Sequence, residues 1–126
     1  MEFIKASTQG HVATIAFDHY AKRNALSEPL IEECLAAFAE FQREKARVVV
    51  LRSANSQKVW SAGHDINELP HADRDPLPYD DPLEQLLRAV AEFPAPVIAM
   101  VQGSAWGGAC DLVMTCDSVM LPAARF

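Results

Sequence analysis

Two short runs rich in β-branched and apolar residues, EFIKAST (2–8) and HVATIAF (11–17), flank Gln9-Gly10 and predict a β-hairpin. AKRNALSEP (21–29) breaks that pattern and reads as a loop. Ser27 then stands where a helix cap belongs, and Pro29 falls in the first turn of a helix running to about Glu44. Ile31, Leu35, Phe38 and Phe41 recur on one of its faces. RVVVLRS (47–53) is a continuous apolar run, expected as a strand covered on both faces.

Residues 54–63 read as a loop ending in Ser-Ala-Gly. Asp65 and Glu68 then have capping-box spacing, which predicts a short helix opening at Asp65. PHADRDPLPYDDP (70–82) is dense in proline and reads as a mobile loop or lid. Leu83, Leu86, Leu87 and Val90 mark a second amphipathic helix. PVIAMVQG (96–103) is another buried strand, AWGGAC (105–110) opens a third helix, and DSVMLP (117–122) reads as a last strand. Strands alternating with helices define an α/β class with a largely parallel sheet. The chain stops at Ala-Ala-Arg-Phe with no helix to cover that last strand, so the architecture reads as unfinished.

Composition narrows the partners. Half of the 126 residues are apolar and 22% are charged, as in a soluble globular domain. The net charge of −6 comes with no basic block, which argues against nucleic acid and anionic membrane, although a few local cations are enough for an anionic ligand. No apolar run approaches the roughly 20 residues of a membrane span. The opening MEFIKASTQG lacks the layout of a signal peptide. Cys34, Cys110 and Cys116 form no CxxC pair and are expected as buried thiols in a reducing cytoplasm.

The chemistry concentrates in two glycine elements, each joining a strand region to a helix start. These are Ser61-Ala62-Gly63-His64-Asp65-Ile66 and Gly103-Ser104-Ala105-Trp106-Gly107-Gly108-Ala109. Backbone N–H groups at a helix start are unpaired and lie at the positive end of the dipole. Glycine allows a ligand close to that backbone. Two such turns aimed at one point would make an oxyanion hole. Neither is a dinucleotide fingerprint or a phosphate loop, and spacing alone favours glycines that only relieve tight turns.

Together with Asn24-Ala25-Leu26, these two elements stand in the order and spacing of the crotonase (enoyl-CoA hydratase/isomerase) superfamily, and the resemblance covers essentially the whole chain. It implies a crotonase-like ββα spiral core, of which residues 1–126 make the N-terminal half, since members are about twice as long. Within the superfamily, His64-Asp65-Ile66-Asn67-Glu68-Leu69-Pro70, Arg74-Asp75-Pro76-Leu77, Tyr79-Asp80-Asp81-Pro82-Leu83 and Trp106-Gly107-Gly108-Ala109 look most like the branch that decarboxylates methylmalonyl-CoA to propionyl-CoA.

The resemblance assigns roles residue by residue. The backbone N–H groups of His64 and Gly108 would bind the thioester carbonyl. Ala25, Ala62 and Ile66 would cradle the adenine end of coenzyme A, with Asp65 beside them. Lys22 and Arg23 would meet the CoA phosphates, or else remain solvated surface charges. Trp106 would wall the departing carboxylate, or else pack in the core. A side-chain role for His64 as a base is the weaker reading.

Asp111 falls where hydratases of the family carry a catalytic glutamate. As a shorter acid it speaks against water addition, and it also suits the first turn of a helix. His71, Asp73 and Asp75 suggest metal ligands only superficially; an exposed loop is the better reading, and no metal is expected. The implied partner is an acyl-CoA substrate that brings its own coenzyme, without a separate cofactor. The complete protein is expected as a homo-oligomer, trimer or hexamer. A hydratase of the same family and a truncated, non-catalytic remnant stay open beside the decarboxylase.

Overall fold

A computed structural model describes residues 1–54, 58–63 and 81–121. The expected helix at Asp65 and most of the proline-rich segment therefore lie outside the described residues. Strands β1 (Ile4–Gln9) and β2 (Val12–Phe17) form the predicted antiparallel hairpin, with Gln9 opposite Val12. The turn is thus Gly10-His11, one residue later than the sequence suggests, because β1 continues through Gln9.

Helix α1 (Glu28–Arg43) begins as expected. The Ser27 side chain accepts a hydrogen bond from the Leu30 N–H at 3.3 Å, and proline occupies the first turn. Its inner face is Leu30, Ile31, Cys34, Ala37, Phe38 and Phe41, while Leu35 is half-buried. Strand β3 (Val48–Ser53) corrects the continuous-burial expectation. Val49, Leu51 and Ser53 are buried, whereas Val48, Val50 and Arg52 are half-buried, so one face alone is fully covered by this chain.

The segment 54–63 is not all loop, since it contains β4 (Val59–Ser61). Helix α2 (Pro82–Glu92) is capped by Asp81, which accepts from the Leu83 N–H at 3.0 Å, and it buries Leu83, Leu86 and Val90. The run 96–103 yields only the short β5 (Val97–Met100). After it come the two-residue β6 (Ser104–Ala105), α3 (Gly108–Thr115) and β7 (Ser118–Met120).

The main sheet has the order β1-β2-β3-β5-β7, and every pairing after the hairpin is parallel. β4 and β6 form a separate two-stranded parallel ladder. Side chains from the sheet, α1 and α2 make one core, joined by Ala109 and Leu112 of α3 and by Trp60 of β4. Burying a large apolar side chain in it contributes on the order of 1.5–3 kcal/mol.

The thiols only partly follow expectation. Cys34 is buried and Cys116 half-buried, but Cys110 is exposed on the outer side of α3. Burial pushes the Cys34 thiol well above its ordinary range, aided by the neighbouring Glu33 charge. Cys116 is pushed up to about 12, chiefly by burial and then by the Asp117 charge.

Candidate active site

The small β4–β6 ladder is the element that makes a site possible. It pairs Val59 with Ser104 and Ser61 with Ala105, with an irregularity between the two pairs. The Trp106 N–H donates to the Ser61 carbonyl at 3.2 Å, extending the ladder to the point where both chains turn. The two glycine elements therefore leave the ladder side by side.

Gly63 has φ +86, a conformation open to glycine and strained for any other residue, and it is packed directly on the other turn. A Cβ at this position would drive into the Trp106 carbonyl oxygen and stand 3.0 Å from the Gly108 nitrogen. Gly107 caps α3 with φ 51 and ψ −120, which turns the chain sharply into the helix. The Ala109 N–H donates to the Trp106 carbonyl and the Cys110 N–H to the Gly107 carbonyl, both at 2.9 Å. The Gly108 N–H is left without a partner among the described residues. It stands at the positive end of a helix, beside the Gly63 turn, and a donor so placed suits a developing oxyanion.

Around this point the other candidates take definite places. Trp106 is 61% exposed in this chain, and its indole N–H donates to the Ser104 hydroxyl at 2.9 Å. The aromatic ring is thus tied down at the mouth of the turn. Asp111 lies in the first turn of α3 with its side chain exposed.

On the opposite flank, the 22–26 loop is laced to the Gly63 turn. The Ala62 N–H donates to the Arg23 carbonyl at 3.0 Å, and the Leu26 N–H to the Gly63 carbonyl at 2.6 Å. Lys22 and Arg23 are exposed there, Ala62 is half-buried, and Ala25 is buried, so Ala25 offers little surface to a ligand. His64, Asp65 and Ile66 lie outside the described residues, as do His71, Asp73 and Asp75. Among the described residues no three His, Cys, Asp or Glu side chains gather as a metal would need.

Two residues of this region carry no role in the sequence reading. Asn24 is completely buried in the left-handed conformation (φ 54) and spends its whole amide on the fold. Its NH2 donates to the Ser53 hydroxyl and the Trp60 carbonyl, and its oxygen accepts from the His19 N–H, all at 2.9 Å. Ser61, also fully buried, donates to the Asn24 carbonyl at 2.7 Å and accepts from the Gly63 N–H at 3.2 Å. The signal in the sequence was their place in the Asn24-Ala25-Leu26 and Ser61-Ala62-Gly63 elements, which gave neither side chain a role.

Residues 7–125 match the family model described as enoyl-CoA hydratase/isomerase, and the chain belongs to that family. It is 44% identical over 119 residues to the methylmalonyl-CoA decarboxylase of Escherichia coli K12, a match covering 94% of this chain and 46% of that protein. It is 35% identical over 122 residues to a probable enoyl-CoA hydratase of Rhizobium meliloti, again covering 94% of this chain and 46% of the relative. Among solved structures, methylmalonyl-CoA decarboxylase complexed with 2S-carboxypropyl-CoA superposes with a TM-score of 0.90 at 43% identity, over 96% of this chain and 46% of that one. Human enoyl-CoA hydratase domain-containing protein 3 superposes with a TM-score of 0.82 at 25% identity, over 95% of this chain and 48% of that one. The chain thus spans about half the length of the relatives it matches.

Proposed function

We propose that the protein carrying this chain decarboxylates methylmalonyl-CoA to propionyl-CoA, and that residues 1–126 supply the N-terminal half of its crotonase domain. The observation that carries this reading is the Gly108 N–H, without a partner among the described residues and set against the Gly63 turn. The similarity to a methylmalonyl-CoA decarboxylase directs it to that substrate.

In the proposed step the bond between the α-carbon and the carboxylate breaks, and carbon dioxide leaves. The electron pair stays on the α-carbon and delocalises onto the thioester oxygen as an enolate; a proton then adds to the α-carbon. The N–H groups of Gly108 and His64 receive the oxyanion. Removing such a donor typically costs about 2.7–4 kcal/mol of transition-state stabilisation. Trp106 lends an apolar wall on the side where the carboxylate loses its charge, which favours that loss. Lys22 and Arg23, with Ala62, Asp65 and Ile66, form the CoA end of the site. The coenzyme arrives as part of the substrate, and no further cofactor enters the reaction. The same reading places the protein in the cytoplasm as a homo-oligomer.

A hydratase reading draws on the 35% identity to a probable enoyl-CoA hydratase. Asp111 weighs against it, because water addition needs acids that reach the water and its proton, and this one is a methylene shorter than glutamate. A paired assay on one preparation of the full-length protein separates the two. Propionyl-CoA formation from methylmalonyl-CoA is followed by mass spectrometry, and loss of the enoyl absorbance by hydration of crotonyl-CoA. The decarboxylase reading expects the first to be faster. Hydration without propionyl-CoA overturns it in favour of the hydratase, and silence in both from a folded protein favours a non-catalytic role.

A further inference from the structure

We propose that Ser61, anchored by Asn24, is a positioning residue for the oxyanion site: its hydroxyl fixes Gly63 against the Gly108 turn. The proposal rests on the enolate-stabilising reading above and adds to it the device that holds the site to the spacing its chemistry needs. Ser61 occupies the last position of β4, where its backbone carbonyl is bound by the Trp106 N–H. Its side chain points the other way in bonding terms, toward the 22–26 loop. The hydroxyl gives its single proton to the Asn24 carbonyl at 2.7 Å and receives the Gly63 N–H at 3.2 Å.

One small buried group therefore joins three segments: the ladder, the loop before α1, and the glycine turn. Asn24 makes that arrangement rigid. Its carbonyl is presented to Ser61 because the residue is held at φ 54, and three side-chain hydrogen bonds to His19, Ser53 and Trp60 hold it there. Asparagine tolerates this conformation better than most residues, and its amide can bridge three partners where aspartate, without donors, could not.

The arrangement bears on catalysis because Gly63 has no slack on its far side. A Cβ built on it would collide with the Trp106 carbonyl and stand 3.0 Å from the Gly108 nitrogen, so that side has room for a hydrogen and nothing larger. Loss of the hydroxyl leaves the Gly63 N–H and the Asn24 carbonyl without this partner in a buried place, where water is the alternative. The turn then relaxes away from the Gly108 N–H. A misplacement of about 1 Å in such a site costs up to about 10²-fold in rate.

The test is Ser61→Ala in the full-length protein, with turnover of methylmalonyl-CoA and the infrared carbonyl band of a bound, unreactive acyl-CoA thioester as readouts. The expected result is a 10- to 100-fold lower kcat, little change in KM, and a carbonyl band moved toward that of the free thioester. Circular dichroism and oligomeric state should remain those of the wild type. Ser61→Cys, which keeps a weaker donor and acceptor in the same place, should fall between the two in both readouts, and it serves alone if the alanine variant does not fold. A folded variant with wild-type kcat and an unmoved carbonyl band overturns the proposal. A loss confined to thermal stability, with the band unmoved, overturns it equally by making Ser61 merely structural. If the wild type itself neither turns over substrate nor shifts the bound carbonyl, the enolate reading fails instead, so the two failures are distinct.

Discussion

Gly63 lies so close to Trp106 that a Cβ on the first would collide with the backbone carbonyl of the second. The two residues follow different strands, β4 and β6, which are paired in a short parallel ladder. Their contact sets how near the Gly63 turn stands to the Gly108 N–H, and it excludes every side chain at position 63.

Gly63→Ala should therefore be damaging out of proportion to one methyl group. The positive φ alone costs about 1–3 kcal/mol for a residue with a Cβ. The collision adds to this, because a backbone carbonyl already engaged by the Ala109 N–H cannot swing aside freely. The expected outcome is a lower urea midpoint together with loss of most turnover in whatever fraction remains folded. Unchanged midpoint and turnover would show that the two turns do not touch.

Gly108→Pro isolates the oxyanion donor. Gly108 is the first residue of α3, where proline is best tolerated because its missing N–H has no helical partner. The helix should survive while kcat falls by about 10²–10³-fold. His64→Ala keeps its backbone N–H and should cost much less. Equal damage from both, with normal circular dichroism, would make the His64 side chain catalytic.

The basic loop should act only on the nucleotide end of the ligand. Lys22→Ala and Arg23→Ala are expected to weaken acetyl-CoA binding by roughly fivefold each, about 1 kcal/mol, and to leave acetyl-pantetheine unaffected. Calorimetry with both ligands reads this directly. Equal weakening of the two would place these cations away from the CoA phosphates.

Cys34 predicts an alkaline loss of stability. Its thiol is held protonated in the folded chain by burial, whereas the unfolded thiol ionises near about 8.5. The raised folded value means the contribution is complete below the unfolded pKa. It declines as pH rises above that point, because the unfolded state then binds fewer protons. The slope per such group is about −1.4 kcal/mol per pH unit. Cys116, pushed up to about 12, adds to the loss between about 8.5 and that value. Urea unfolding from pH 8 to 10.5 should show a shallower decline for Cys34→Ala than for the wild type, whatever its stability at pH 8. Parallel declines would mean that Cys34 ionises alike in both states.

Much of the scaffold is legible from local signals. Ser27 with Pro29 opens α1, the Leu83, Leu86, Leu87, Val90 spacing marks α2, and the glycine pair at 107 and 108 starts α3. Caps and apolar periods work within a few residues, so the sequence by itself determines where these elements begin and which face is buried. The burial of β3 was harder to read, because a run of valines looks the same whether one face is covered or two.

Tertiary structure alone decided how the two glycine turns meet. β4 and β6 are three and two residues long, too short for any period to show, and they exist because they pair with each other. Ser61 and Asn24 gain their meaning from hydrogen bonds that span 29 to 37 residues of sequence. The contact of Gly63 with Trp106 depends on the register of that small ladder. The residue types announce that a turn can be tight and a donor free. Which turn stands against which follows from long-range pairing, whose partners leave no mark in the local sequence.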